Sequence, residues 1–237
     1  MAGDINAPHN LIALLPGHSY DGENEAIKID VLDKSYANRY EDAGVRFYTE
    51  GEIRGGSVVS CVKDALEVLA RVPTLAATVF SLVRSLHLIK PEDDDYDVSF
   101  SEPDVPFSIF VSVPQGNSPI HTMRVAEAIV HESMHLQLTL IEGFVPLVTE
   151  TQRKIFSPWK EEFRTIQGVL HALYVFRVID TFLKCLSSIQ NHPVVELKYI
   201  QGRCEEIDEQ IKEIRSFPDR VELTTIGACF VKDLIQS

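Results

Sequence analysis

Apolar residues recur with helical period over residues 57–70, where Val58, Val62, Ala65, Leu66 and Leu69 fall on one face. That stripe predicts a helix packed on one side, with Ser57 as its N-cap. Pro73 opens a second helical segment, expected from Leu75 to Ile89. Ser118-Pro119 is a start signal, with Ser118 as N-cap and Pro119 at the first helical position. The run that follows keeps helical periodicity without a breaker to about Gly143. A long apolar helix is expected from about Thr165 to Ser188. After the Pro193 break comes an amphipathic helix, Val194 to Arg215, with Glu205, Glu206, Asp208, Glu209, Lys212, Glu213 and Arg215 on its wet face. Phe217-Pro218-Asp219 then starts a final helix.

The strand pattern is confined to the first half of the chain. Glu25 to Val31 alternates apolar and polar residues and reads as a strand; Leu11 to Leu15, before a Pro16-Gly17 turn, reads as a strand or short helix. Val45 to Tyr48 is a candidate short strand in an otherwise polar stretch from Asp33 to Gly56. Phe107 to Val113, flanked by Pro103, Pro106 and Pro114, is the strongest strand signal. It is a candidate sheet edge beside the metal cleft expected around the motif described below, where it could receive an extended peptide by strand addition, although ordinary packing in the sheet is the favoured reading. The acidic run Glu92 to Asp97 is expected to be a solvated loop, because consecutive acids point in different directions. With no repeat, low-complexity tract or linker, residues 1–237 are expected to form a single α+β domain. A mixed strand and helix part with a small sheet covers about 1–115, and a predominantly helical part built around the motif described below covers about 116–237.

Composition narrows the function classes. A chain of 237 residues with 45% hydrophobic residues is long enough to bury a sizeable site. A formal charge of −13 argues against nucleic acid or an anionic membrane as partner, since both need net basic surface. No apolar run is long enough to span a bilayer, and Met1 to Asn6 lacks the charged and apolar regions of a signal peptide, so a cytoplasmic location is expected. Cys61, Cys185, Cys204 and Cys229 are widely spaced, without a C-x-x-C pair, and are expected to be buried thiols in a reducing compartment.

The sharpest chemical signal lies in the helix that starts at Pro119. His131-Glu132-Ser133-Met134-His135 is an HExxH motif, whose two imidazoles, four residues apart, lie on one helical face where one metal ion can take both. Two histidines need a third protein ligand. Ile141 stands six residues after His135, where a metzincin would continue with His, and the helix from Thr165 to Ser188 contains no Glu. It does contain His171, a polar ring in an apolar stretch, which a shared metal would satisfy. Arg164, seven residues before His171, and Gln167, four before, are expected on the same helical stripe, Arg164 roughly 10 Å along the axis. There Arg164 could clamp the far carboxylate of a metal-chelated dicarboxylate. Lys160 and Arg124 are alternative clamps, and each of these cations, taken singly, reads more readily as an ordinary surface or loop salt bridge.

Together, His131-Glu132-Ser133-Met134-His135, Ser157-Pro158-Trp159-Lys160 with Arg164, and Gly168-Val169-Leu170-His171 resemble the HExxH-type 2-oxoglutarate-dependent peptide β-hydroxylases of bacterial peptide-modification pathways. The resemblance is strongest over about 103–176. It implies an Fe(II) enzyme using 2-oxoglutarate and O₂ to hydroxylate the β-carbon of a side chain in a ribosomally made precursor peptide. By that resemblance His131, His135 and His171 would hold iron. The family usually has Arg after the Trp and a second Pro-flanked Arg, whereas this chain has Lys160 and Glu161-Glu162-Phe163-Arg164-Thr165. Glu132 would then act from behind the ligands or as a weak ligand. The rival reading is a zinc peptidase with Glu132 as general base toward a zinc-bound water. A third is a non-catalytic binding module with structural histidines.

Overall fold

The computed structural model describes residues 10–16, 26–93, 97–102, 104–116, 118–189 and 193–237. The expected Pro16-Gly17 turn lies partly outside these residues, as does the middle of the acidic run. The architecture is α+β, with helices dominating the second half of the chain. Two compact units divide it, residues 1–132 and 133–237.

In the first unit the elements are β1 (Asn10–Pro16), β2 (Ala26–Val31), α1 (Lys34–Glu41), β3 (Arg46–Phe47), α2 (Glu50–Arg54), α3 (Ser57–Ala70), α4 (Pro73–Leu82), β4 (Ser85–Lys90), β5 (Ser99–Ser101), β6 (Ser108–Ser112) and the first part of α5 (Pro119–Glu142). The strands form one sheet in the order β1-β2-β4-β6-β5, with β3 paired to the end of β4. β4 runs parallel to both β2 and β6, and the outer pairs β1/β2 and β5/β6 are antiparallel. Every residue of β6 and all but the last of β4 are buried, as parallel strands covered on both faces should be.

Two expectations fail here for the same reason. The helix expected to reach Ile89 stops at Leu82, and Ser85–Lys90 is a strand. Val83 is already extended, and the Arg84 amide donates to the Phe107 carbonyl at 2.8 Å. A short, fully buried apolar run carries no periodicity that separates strand from helix, so sheet pairing decides. Likewise the candidate edge strand is interior: β6 is hydrogen-bonded to β4 on one side and β5 on the other, which leaves its backbone no groups for strand addition.

The polar stretch 33–56 holds two helices whose caps explain them. Asp33 accepts from the Ser35 amide at 2.8 Å to start α1, and Thr49 and Glu52 form a capping box that starts α2. Helix α3 has the expected length, but Gly56, at φ 95°, caps it in place of Ser57. Helix α5 matches its expected bounds, and Ser118 Oγ accepts from the Ile120 amide at 3.3 Å.

The second unit contains the end of α5, a hairpin of β7 (Lys154–Ser157) and β8 (Glu162–Thr165), α6 (Ile166–Ser187), α7 (Val194–Glu213), a 3₁₀ turn at Phe217–Asp219 and α8 (Thr225–Gln236). Thr165 caps α6 by accepting from the Gly168 amide at 3.1 Å. Val169, Leu170, Leu173, Ile179 and Leu183 of α6 are fully buried, and α6 packs against both α7 and α8. Arg177 joins these elements by donating to the Leu234 carbonyl at 2.7 Å and to Asp180 at 3.0 Å. The segment after α5 is held by an isolated bridge between Val148 and Leu223 and by the Thr149 amide on the Glu222 carbonyl at 2.8 Å. No described helix is long and apolar enough to cross a membrane.

Candidate metal centre

Helix α5 is uninterrupted from Pro119 to Glu142, so His131 precedes His135 by about one turn on the same face. In the first unit, His131 keeps 26% of its side chain exposed, with Nε2 3.9 Å from Glu132 Oε1. Glu132 is buried, and its Oε1 accepts a 2.7 Å hydrogen bond from Ser99 Oγ of β5.

In the second unit, His135 of α5 faces His171 of α6. The rings lie within 18° of parallel and meet edge to edge, with centroids 5.5 Å and Nδ1 atoms 3.2 Å apart. The other nitrogen of His171, Nε2, lies 2.8 Å from Glu142 Oε2. Gln167 Nε2 donates to the same oxygen at 2.9 Å. Burial, followed by the neighbouring His171 and Lys160, pushes the His135 imidazolium down to about 4, so this ring is neutral at physiological pH. For Glu142, burial works against the charge, but hydrogen bonds from His171 and Gln167 more than offset it and hold the carboxyl below its ordinary value. A further pair borders the site: Tyr174, one turn after His171, donates its hydroxyl to Gln137, two residues after His135.

The two imidazoles are donors of the type a first-row metal ion takes. With centroids 5.5 Å and Nδ1 atoms 3.2 Å apart, the two nitrogens point at each other as in an N–H···N hydrogen bond, and a metal taken by both would require a ring to turn. A carboxylate behind a ligating imidazole is the usual support for such a ligand. Among the described residues, however, no three His, Cys, Asp or Glu side chains stand in an arrangement that could hold a metal. Glu142 is turned to the opposite nitrogen of His171 and does not join the His135 side. The described geometry therefore supplies two donors and the support of one.

Of the expected cosubstrate residues, Gln167 is drawn into the site through Glu142. Lys160 lies in the β7–β8 turn formed by Pro158 to Glu161, near enough for its charge to disfavour protonation of His135. Arg164 is not on the helix of His171: α6 begins at Ile166, and Arg164 sits in β8, half exposed and bonded to Glu162 at 2.8 Å. The turn at 158–161, with Glu161 at φ 50°, leads residues 162–165 into a strand, so Arg164 falls outside the helical stripe expected for it. Arg124 is bonded through Nε to Asp97 at 2.7 Å in the first unit. Trp159 of the same turn stacks on Phe176 with ring centroids 5.4 Å apart.

Glu142 is the site residue that motif reasoning missed. The protease-type pattern places a carboxylate on the following helix, whereas Glu142 stands on the motif helix itself, seven residues or two turns after His135 and so on its face. Glu142 also lines a cleft of about 390 Å³ bounded by residues 146–151 and the start of α6. Glu142, Glu150, Thr149, Thr151 and Thr165 are among its lining residues, and no described lining residue is cationic. No protein-family model matches the chain, and no curated protein matches it.

Proposed function

We propose that the chain is a non-haem Fe(II)- and 2-oxoglutarate-dependent dioxygenase that hydroxylates the β-carbon of a side chain in a ribosomally made peptide. The proposed iron ligands are His131, His135 and His171. The observation that carries this reading is the facing pair of His135 and His171, Nδ1 to Nδ1 at 3.2 Å, with Glu142 behind His171. The motif resemblance of HExxH, Ser157-Pro158-Trp159-Lys160 and Gly168-Val169-Leu170-His171 supports the choice of chemistry.

Iron with 2-oxoglutarate and O₂ would supply the oxidation in which one oxygen atom enters the C–H bond and the other enters succinate, with loss of CO₂. The chain's own residues prepare for this. His135 is neutral at physiological pH, so one of its two ring nitrogens keeps a lone pair for a metal. Lys160 is the candidate cation whose charge reaches the histidine pair, and would attract the distal carboxylate of 2-oxoglutarate as a point charge, without the two-pronged geometry of arginine. Glu132 is engaged by Ser99, which suits a residue that braces the motif rather than one that moves protons.

The second reading is a zinc peptidase in which Glu132 acts as general base; the motif and the burial of Glu132 favour it. Anaerobic addition of Fe(II) and 2-oxoglutarate should give a weak visible charge-transfer band, and peptides in air should then yield succinate and a product heavier by one oxygen. Glu132→Gln should retain part of that turnover. Absence of the band and of succinate, with peptide cleavage that Glu132→Gln abolishes, would replace the oxygenase by the peptidase. Absence of stoichiometric metal in protein purified without chelators would leave a binding module.

A further inference from the structure

We propose that the free edge of β5 is a docking site for an extended, basic peptide, which pairs with the outward main-chain groups of Ser99 and Ser101 and so runs beside Glu132 of the HExxH motif. The choice of a peptide as occupant rests on the peptide-modification reading above. The edge and its charge belong to the first unit alone.

β5 ends the sheet on the side opposite β1 and pairs only with β6. Ser99, Phe100 and Ser101 lie opposite Val111, Phe110 and Ile109, and the Ser112 amide donates to the Val98 carbonyl at 2.8 Å. In an antiparallel pair every second residue turns its N–H and C=O to the partner strand. Val98 and Phe100 therefore face β6. Ser99 and Ser101 direct their main-chain groups outward, where no described residue bonds to them. Such a row is a template for one more strand about 4.8 Å further out. Edges are ordinarily blocked by lysine, proline or a bulge. Val98 to Ser101 carries neither residue, and its register with β6 is unbroken.

The strand is held from both faces. Ser99 Oγ donates to Glu132 Oε1 at 2.7 Å, which ties the edge to the motif helix, and Ser101 shares that side by alternation. Phe100 points the other way and stacks on Phe110 and Tyr40, with centroids 4.5 Å and 5.3 Å apart. The edge is thus already ordered, so binding does not have to supply that ordering. Charge selects the occupant. Asp97 precedes the strand, Glu102 and Asp104 follow it, and of these Asp97 is bonded to Arg124. Lysine or arginine side chains complement such flanks, and glutamates are repelled.

Fluorescence anisotropy with a labelled peptide of alternating lysine and threonine measures binding without added metal, and amide hydrogen exchange by NMR locates it. At saturation the Ser99 and Ser101 amides should exchange roughly 10-fold more slowly or better, and the Phe100 amide should change less. The glutamate and threonine counterpart should bind about 10-fold more weakly. Ser101→Pro removes one outward N–H, a change an edge strand tolerates, and should weaken binding roughly 5-fold, the net worth of one main-chain hydrogen bond. If a thermal melt shows that variant unfolded, the peptide carries the same test: N-methylation at its lysines or at its threonines should abolish binding in at least one set. No binding of the basic peptide, binding with Ser99 and Ser101 unprotected, equal affinity for the acidic peptide, or indifference to both methylated sets would overturn the proposal. So would protection of these amides that grows with protein concentration in the absence of peptide, together with a dimer in light scattering, which gives the edge to a second copy. Turnover separates the two readings. Peptide protection of the edge without succinate release leaves the docking site standing and the oxygenase reading failed, and hydroxylation with the edge unprotected does the reverse.

Discussion

Cys61, on α3, has no exposed surface, and burial, reinforced by the charge of Asp64, pushes its thiol up to about 11. The thiolate is the reactive form, so Cys61 should be inert in the native protein at pH 8, while the exposed Cys185 and Cys229 react. Mass-resolved labelling with a thiol reagent checks this: equal native rates at all three would contradict the packing of α3. The sign of the linked stability also follows. Because the folded thiol binds its proton more tightly than the unfolded one, this contribution is intact below about pH 9. It falls as pH rises through about 11, by at most on the order of 2–3 kcal/mol. Cys61→Ala should flatten that alkaline slope. The expectation of buried thiols holds for Cys61, on the apolar face of α3, and fails for Cys185 and Cys229, which are exposed, and for Cys204, which is half-buried: apolar neighbours in sequence do not fix which way a helical side chain faces. Glu142 was not legible in the sequence, because its place in the site depends on the distant ring it meets.

At the scale of elements, start signals and contacts decide what the sequence discloses. Helix α5 was legible from end to end because Ser118-Pro119 and an unbroken period mark it. The β7–β8 hairpin was not, since its strands are four residues long and half polar, and the following helix absorbed Arg164 in the periodic reading. Helix α2 carried a readable signal in Thr49 and Glu52. Glu52 is pulled down to about 2, first by the hydrogen bond from Lys90 and then by those from Thr49. Its contribution is therefore present above its ordinary value of 4.5 and lost as pH falls through about 2. Glu52→Ala should cost about 1 kcal/mol through the cap. The Lys90 pair adds little, because both side chains are 36% exposed. Chemical denaturation of the variant tests this, and a loss above about 3 kcal/mol would mean the capping account omits a larger contact. In the second unit, Gly227 in the first turn of α8 lies so close to Leu147 that a Cβ would collide with the Leu147 carbonyl oxygen. The obstacle is backbone that Thr224 also hydrogen-bonds through its amide at 3.0 Å. Gly227→Ala should thus destabilise by at least 1–3 kcal/mol, roughly the cost of overpacking, despite alanine's better helix propensity. A thermal midpoint equal to or above that of the wild type would show that the 147–149 segment shifts freely.

At the scale of the whole molecule, the charge of −13 acts differently on the two proposed substrates. The cleft beside Glu142 repeats that sign locally, with two carboxylates and no lining cation, so it suits a basic or neutral peptide group and repels a dianion. 2-Oxoglutarate must reach its place against this field and depends on a local cation such as Lys160, whereas a basic peptide is drawn in. Salt screens both effects, since the screening length shrinks from roughly 14 Å at 0.05 M to about 4–5 Å at 0.5 M. Across that range the KM for a lysine-rich peptide should rise by about twofold or more, and the KM for 2-oxoglutarate should fall, provided screening of the overall repulsion outweighs loss of the single Lys160 attraction. Lys160→Gln separates the two contributions: it should raise the KM for 2-oxoglutarate at low salt and leave the peptide's salt dependence in place. Steady-state succinate release with paired basic and acidic peptides measures all four dependences. If the acidic peptide is preferred at low salt, the cleft is not where the peptide binds, because two carboxylates with no lining cation cannot favour an anion.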